Sequence, residues 1–330
     1  MKNLFLLLFL CAFLPGCDGS GGFVMWKNND IDSNIRKEIR ALNNDLLSAL
    51  NDNNIEDIKG LMSDTLLAKA NIDWEDMVLH ISGLFRMEKY DIKDEYYVKN
   101  ATTGVINTLP SGLSEDDDYI IRYKAMNNEM YVSLLVPQSE TNELLITAVY
   151  GKYDDGWKIN ILRFGQYSID KKTAPDYYRL ARQCHEKSYL IDALNNMSLG
   201  MQCMRPAEDT FEYLKTKEIN EFYEKLEGDV DSKYVFPFTL DKVDTKPQVF
   251  RIYPQEIDEG LFPMVLYLST VNIDDTLALK KEYQQIKSVI GDYFEGIDKG
   301  KKYVFYRAFN EMPQEDRKVD NYGFVDQITR

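Results

Sequence analysis

Along the chain, apolar residues first recur at helical spacing and then in alternation, and the period changes near Tyr96. Ile35, Ile39, Leu42, Leu46, Leu47 and Leu50 fall on one stripe of a helix of about five turns, with Ser33 placed as its cap. Ile55, Ile58, Leu61 and Met62 predict a shorter helix beyond the break at 51–54. Met77, Val78, Ile81, Leu84 and Phe85 predict a third, from Trp74 to about Phe85, capped by Asp73. From Tyr96 onward the spacing is that of strands, whose successive side chains face opposite sides. Tyr119, Ile121, Tyr123 and Ala125 alternate with Ile120, Arg122 and Lys124. Met130, Val132, Leu134 and Val136 follow in the same rhythm, and Asn127-Asn128 between the two runs predicts a hairpin turn. Leu144–Tyr153 and Trp157–Phe164 predict a second hairpin, closed at Asp154-Asp155-Gly156, where glycine tolerates the positive φ of a tight turn. Helices followed by an antiparallel meander predict an α+β unit over 31–170, its helices packed in a curved antiparallel sheet.

Pro175 opens a helical segment, 171–228, with a further helix expected from about Ala207 to Leu226, carrying Phe211, Leu214, Phe222, Tyr223 and Leu226 on one side. Residues 229–330 predict a small C-terminal α+β domain. Its strands are Val249–Tyr253 and Met264–Ser269, separated by a loop with Pro254, Gly260 and Pro263, then Tyr303–Phe309 and Tyr322–Ile328. Between them Leu279, Tyr283, Ile286, Ile290 and Tyr293 line a helix capped at Asp274 or Asp275 and ended at Gly296. Tyr253, Tyr267, Tyr303, Tyr306 and Tyr322 cluster on these strands, where they suit either packing against the helix or a binding surface.

The first sixteen residues follow neither period. Lys2 precedes an almost unbroken apolar run from Leu4 to Leu14, ending in Leu14-Pro15-Gly16-Cys17, too short to span a bilayer comfortably. The segment resembles a bacterial lipoprotein signal. The resemblance implies that residues 1–16 are removed and that Cys17 is lipidated, anchoring the chain at the inner or outer membrane of a bacterial cell envelope. Asp18 resembles an inner-membrane retention signal of some enteric lipoproteins. Residues 17–30, with Gly19, Ser20, Gly21, Gly22 and Asn28-Asn29-Asp30, read as a flexible tether. Loss of Lys2 takes the formal charge from −15 to −16. So acidic a surface argues against nucleic acid and against anionic bilayers as partners, leaving lipid as the membrane contact.

Aromatic residues make up 12% of the chain and 22 of them are tyrosine, which provides for packed cores. His80 and His185 are the only histidines, and neither a Cys-x-x-Cys pair nor a glycine-rich phosphate loop occurs, so no metal or cofactor is expected. Of the four cysteines, Cys11 leaves with the signal and Cys17 takes lipid. Cys184 and Cys203, both on predicted helices, are either a disulfide or two small buried apolar side chains. The run Glu115-Asp116-Asp117-Asp118 lacks the spacing of a calcium loop and reads as a solvated acidic loop.

Three helices and then strands, closing on Gly151-Lys152-Tyr153-Asp154-Asp155-Gly156-Trp157-Lys158-Ile159, resemble the nuclear transport factor two-like, cystatin-like cone fold over 31–170. That fold implies a pocket between sheet and helices, used by some members for catalysis and by many only for binding. His80, four residues from Asp76 on the third helix, falls near the pocket wall. It is either a ligand-binding residue or an exposed histidine paired with Asp76, and Trp74 and Trp157 are either a ligand platform or packing residues. Tyr177, Leu180, Ala181, Cys184, Ala193, Met197 and Gly200 resemble a single tetratricopeptide hairpin, which must bury its apolar face elsewhere. Asp64-Thr65-Leu66 and Asp275-Thr276-Leu277 resemble an O-glycan acceptor motif of some gut bacteria. The expected function is a lipid-anchored envelope binding or interaction protein without catalytic activity, its partner an envelope protein or a small ligand. The alternative is an isomerase or dehydratase of the cone fold.

Overall fold

A computed structural model of the chain describes residues 22–68, 73–84, 89–114, 116–314 and 317–328, so residues 1–21, Cys17 among them, lie outside the description. The fold is mixed α+β. Among the described residues it holds eight α-helices and three sheets whose strand pairs are antiparallel, except for one parallel pair.

After a first strand, β1 (Phe23–Lys27), come four helices: α1 (Ser33–Asn51), α2 (Ile55–Gly60), α3 (Asp64–Leu67) and α4 (Trp74–Leu84). Asp32 rather than Ser33 caps α1, its carboxylate accepting from the backbone N–H groups of Asn34 and Ile35 at 2.8 and 3.4 Å. The first sheet contains β1 (Phe23–Lys27), β2 (Tyr90–Asn100), β5 (Glu129–Pro137), β6 (Glu143–Tyr153) and β7 (Gly156–Ser168), in that spatial order. One face meets α1–α4 through Tyr97, Tyr131, Leu135, Tyr150 and Trp157, packed with Ile39, Leu46, Leu50 and Val78. The other presents Tyr96, Val98, Met130, Val132, Leu145 and Val149 to a second apolar core. A sheet covered on both faces needs apolar side chains at successive positions, and every residue of β6 from Leu144 to Tyr150 is buried.

The expected tether ends early. Residues 23–27 pair with β2 from Phe23↔Asn100 to Lys27↔Tyr96, Trp26 stacks on Tyr97 at 5.3 Å, and Phe23 and Met25 pack on the second core. That apolar surface is worth more buried in a sheet than left in a flexible spacer.

The hairpin expected at Asn127-Asn128 does not form. Strand β4 (Tyr119–Lys124) pairs with β3 (Ile106–Pro110) and with β8 (Phe211–Tyr213), whereas β5 pairs with β2 and β6. The two asparagines carry the chain from one sheet to another. Asn100 donates from its backbone N–H to the Asn128 carbonyl at 2.7 Å and from Nδ2 to the Asn127 carbonyl at 2.9 Å, while Asn127 Oδ1 accepts from Asn160 at 2.7 Å. The hairpin at Asp154-Asp155 does form, with Tyr153 opposite Gly156 and Gly156 at φ 127°.

Helices α5 (Ala174–Glu186) and α6 (Leu190–Gln202) form the expected helical hairpin. The helix expected from Ala207 starts instead at Thr216, as α7 (Thr216–Lys233), because Phe211 stacks on Tyr119 at 4.4 Å and its segment becomes β8. The hairpin's apolar face is thereby covered by the second sheet and α7 within one core.

The C-terminal sheet has the order β13-β12-β11-β10-β9, from β9 (Phe238–Thr239), β10 (Gln248–Ile257), β11 (Gly260–Leu268), β12 (Tyr303–Phe309) and β13 (Asn321–Gln327). Helix α8 (Thr276–Tyr293), capped by Asp275, links the parallel pair β11 and β12. The loop expected around Pro254 and Pro263 is shorter than predicted. These prolines face each other within the ladder, and Asp258-Glu259 alone make the turn. Tyr267 and Tyr306 are buried beneath α8, while Tyr253 packs on the sheet's opposite face. Lys301 joins this region to α6 through Asp192 at 2.6 Å, so one core runs from the first sheet to the last.

Candidate functional site

Helix α4 positions His80. Asp73 accepts from the backbone N–H groups of Glu75 and Asp76 at 3.1 and 3.2 Å, and the helix then buries Trp74, Val78 and Ile81. Between α4 and strands β6 and β7 lies a cavity of about 510 Å³ with Met77, Ile81, Leu144, Leu162 and Phe164 on its walls and His80 at its rim. Its polar end holds Arg163, Gln166 and Glu208. Arg163 Nε, buried, is ion-paired with Glu208 Oε2 at 2.9 Å. His80 is exposed and makes no bond to Asp76. Trp74 and Trp157 do not join it there. Trp157 donates from Nε1 to Glu38 at 3.1 Å and sets its ring edge-on to Tyr97 and Tyr131, each at 6.4 Å, and both tryptophans belong to the core beneath α1–α4.

A second constellation escaped the reading of the pattern. The β2–β5 register slips between Ile92 and Asp94, making Lys93 the extra residue of a β-bulge. Consecutive residues of a regular strand face opposite ways, but here Lys93 and Asp94 share the face toward β4. Lys93 Nζ lies 5.3 Å from the Tyr119 ring centroid, and Asp94 accepts the Tyr119 hydroxyl. A second slip, between Glu143 and Leu144 opposite Ser168 and Gln166, makes Tyr167 the extra residue on β7 and brings its ring within 5.0 Å of Lys93 Nζ. These two residues, Tyr213 of β8, Asp117, and Asp176 and Arg179 of α5 enclose a cavity of about 330 Å³. Burial holds the Lys93 ammonium below the usual lysine range, aided by Lys27 and opposed by Asp94, Asp117 and Glu143. Burial likewise raises the Tyr119, Tyr167 and Tyr213 phenols, which stay neutral. The legible trace of this site is Lys93-Asp94-Glu95, three charged residues in succession just ahead of Tyr96-Tyr97-Val98.

The acidic run is not simply solvated. Asp116 pairs with Lys215 at 2.5 Å, Asp117 with Arg179 at 3.0 Å, and Asp118 accepts from Ser111 and from the Tyr119 backbone N–H. Asp116 and Asp117 thus tie the loop to Lys215 and to α5, and Asp118 ties its two ends together, while Glu115 lies outside the described residues. His185 is half-buried, bonded to Asp229 at 2.8 Å and set edge-on to Phe222. Among the described residues no group of three His, Cys, Asp or Glu side chains could hold a metal ion, and no helix is long and apolar enough to cross a membrane.

Cys184 and Cys203 are free thiols rather than a disulfide. Burial pushes the Cys203 thiol up to about 12 from 9.0. The unfolded chain therefore releases this proton from pH 9 upward while the native one keeps it, so stability falls between pH 9 and about 12, by up to about 1.4 kcal/mol per pH unit. Urea titrations from pH 9 to 10, before the raised tyrosine phenols add their own loss above their ordinary value of 10.0, are expected to show the fall, and Cys203→Ala to reduce it.

Comparison of the chain with family models, curated proteins and solved structures finds no match.

Proposed function

We propose that this chain is a lipid-anchored binding protein of the bacterial cell envelope, whose first unit, a cone-like arrangement of α1–α4 in the first sheet, holds a small, mainly apolar ligand beside His80. The carrying observation is the cavity of about 510 Å³ between α4 and β6–β7, with apolar walls and one polar end. Gln166 and the Arg163–Glu208 ion pair give one end polar groups for a polar part of the ligand, while Met77, Leu162 and Phe164 take its apolar part. Binding without catalysis fits the exposed setting of His80 and Glu208, since an isomerase or dehydratase needs its acid or base enclosed with the substrate. Anchoring rests on Leu14-Pro15-Gly16-Cys17.

One fractionation and binding experiment tests both halves, with N-phenyl-1-naphthylamine as the apolar probe. Cys17→Ala is expected to move the protein from the membrane to the soluble fraction and to leave its dye fluorescence intact. Met77→Trp, which fills the cavity from its helical wall, is expected to stay with the membrane and weaken dye binding about tenfold or more. A Cys17→Ala protein that still sediments with membranes overturns the anchor. Undiminished dye binding by Met77→Trp overturns the site.

A further inference from the structure

The second cavity carries an inference independent of the first. Around it, nearly every charge has a partner. Asp94 is engaged by Lys27 at 2.9 Å, by Asn28 at 2.8 Å and by the Tyr119 hydroxyl. Asp117 and Asp176 hold Arg179 between them at 3.0 and 2.5 Å, and Asp176 also accepts from the Thr173 backbone and hydroxyl at 2.9 and 2.7 Å. Two groups are left over. Lys93 Nζ, among the described residues, has no carboxylate within 4.0 Å and no hydrogen bond, only the faces of Tyr119 and Tyr167. Tyr213, 3% exposed, has a buried hydroxyl without any partner. Buried polar groups are ordinarily satisfied, and a desolvated ammonium costs most when left alone. That two donors without a partner belong to residues lining one cavity, one of them aimed there by a bulge, marks a place for an acceptor from outside the chain.

We propose that this cavity binds a small organic monocarboxylate, whose carboxylate oxygens accept from Lys93 Nζ and Tyr213 Oη. The charge count selects the class. Lys93 and Arg179 balance Asp117 and Asp176 on the walls, so a singly charged group that pairs directly with Lys93 is accommodated, while a doubly charged phosphate would set its second charge against Asp117 and Asp176. The volume, about 330 Å³, is that of roughly ten waters in the liquid and admits a compact metabolite rather than a long chain. The Tyr119 and Tyr167 rings that flank Nζ suit a planar or unsaturated body on that carboxylate. Bound carboxylate restores to Lys93 the ion pair it lacks, so binding draws its proton more tightly.

Calorimetric titration of the full-length protein near pH 7 tests this, with benzoate as probe, phenyl phosphate as the doubly charged control and benzyl alcohol as the neutral one. Benzoate is expected to bind one to one, phenyl phosphate at least about tenfold more weakly, and benzyl alcohol without heat. Lys93→Met is expected to abolish benzoate binding and raise the Tm of the ligand-free protein, since the substitution removes an unpaired ammonium and keeps the apolar stem; a merely structural lysine would lower it. Tyr213→Phe is expected to weaken benzoate severalfold at unchanged Tm, and Met77→Trp, at the other cavity, to leave it unaffected. Equal benzoate affinity in Lys93→Met, a preference for phenyl phosphate, or no heat with benzoate up to roughly 10 mM would each overturn the proposal.

Discussion

Replacing Gly165 with alanine is expected to destabilise the fold by about 3 kcal/mol. Gly165 lies on β7 opposite Leu145, where the chain entering β8 crosses the sheet. A Cβ there would stand 2.5 Å from the Pro206 carbonyl oxygen, 2.8 Å from its carbon and 2.9 Å from its Cα. All three are backbone atoms, so no rotamer relieves the overlap and either β7 or the 204–208 segment must move. Moving that segment drags Phe211 off Tyr119 and Tyr213 off the Lys93 cavity, while Gly165 itself borders the cavity at His80. Urea unfolding should therefore show a lower midpoint at unchanged slope, with both dye and benzoate binding weakened. A loss below about 0.5 kcal/mol would mean that the crossing is slack and that the close approach does not fix β8.

Glu95→Ala is expected to cost as much or more, about 3–5 kcal/mol. The Glu95 carboxylate, 2% exposed, sits between β2 and α1 and accepts from Arg36 Nε at 2.6 Å and from the Tyr131 hydroxyl at 2.7 Å, with Arg40 at 3.7 Å. Its backbone N–H donates to Asn28 Oδ1 at 2.8 Å, so the same residue also anchors the turn that follows β1. Truncation leaves a guanidinium and a phenol without their acceptor in a place water reaches poorly, and that desolvation dominates the expected loss. Glu95→Gln keeps an acceptor for Tyr131 and removes the charge, so it should cost less than Glu95→Ala. Chemical denaturation of both variants, with a cycle through Arg36→Met, separates the two contributions. A Glu95→Ala loss under about 1 kcal/mol would show that α1 is held by its apolar stripe alone.

The elements themselves were legible where the signal is local. The stripe from Ile35 to Leu50, the break before Ile55, the Gly156 turn, the helix behind Asp275 and the strand Tyr303–Phe309 all stand where periodicity and capping put them. The candidate site at His80 is half legible in the sequence: that residue lies on the cavity rim, while Trp74 and Trp157 pack into the core. Nothing in a periodicity of 2 marks the slips that aim Lys93 and Tyr167, because a bulge changes only which face the extra side chain takes.

By itself, the order of residues determined the type and succession of most helices and strands, since backbone handedness and side-chain spacing act over three or four positions, whereas the start of α7 was decided by the pairing of β8. It determined the acidic character of the body as well. The tertiary structure alone decided partnership: that β4 leaves its sequence neighbour β5 for β8, that residues 23–27 close an edge instead of swinging free, and that Lys93, Tyr167 and Tyr213 meet. The reason is that the backbone groups of one strand bond equally well to those of any other. The choice falls to the apolar surface each pairing buries, and that surface comes from residues far apart in the chain.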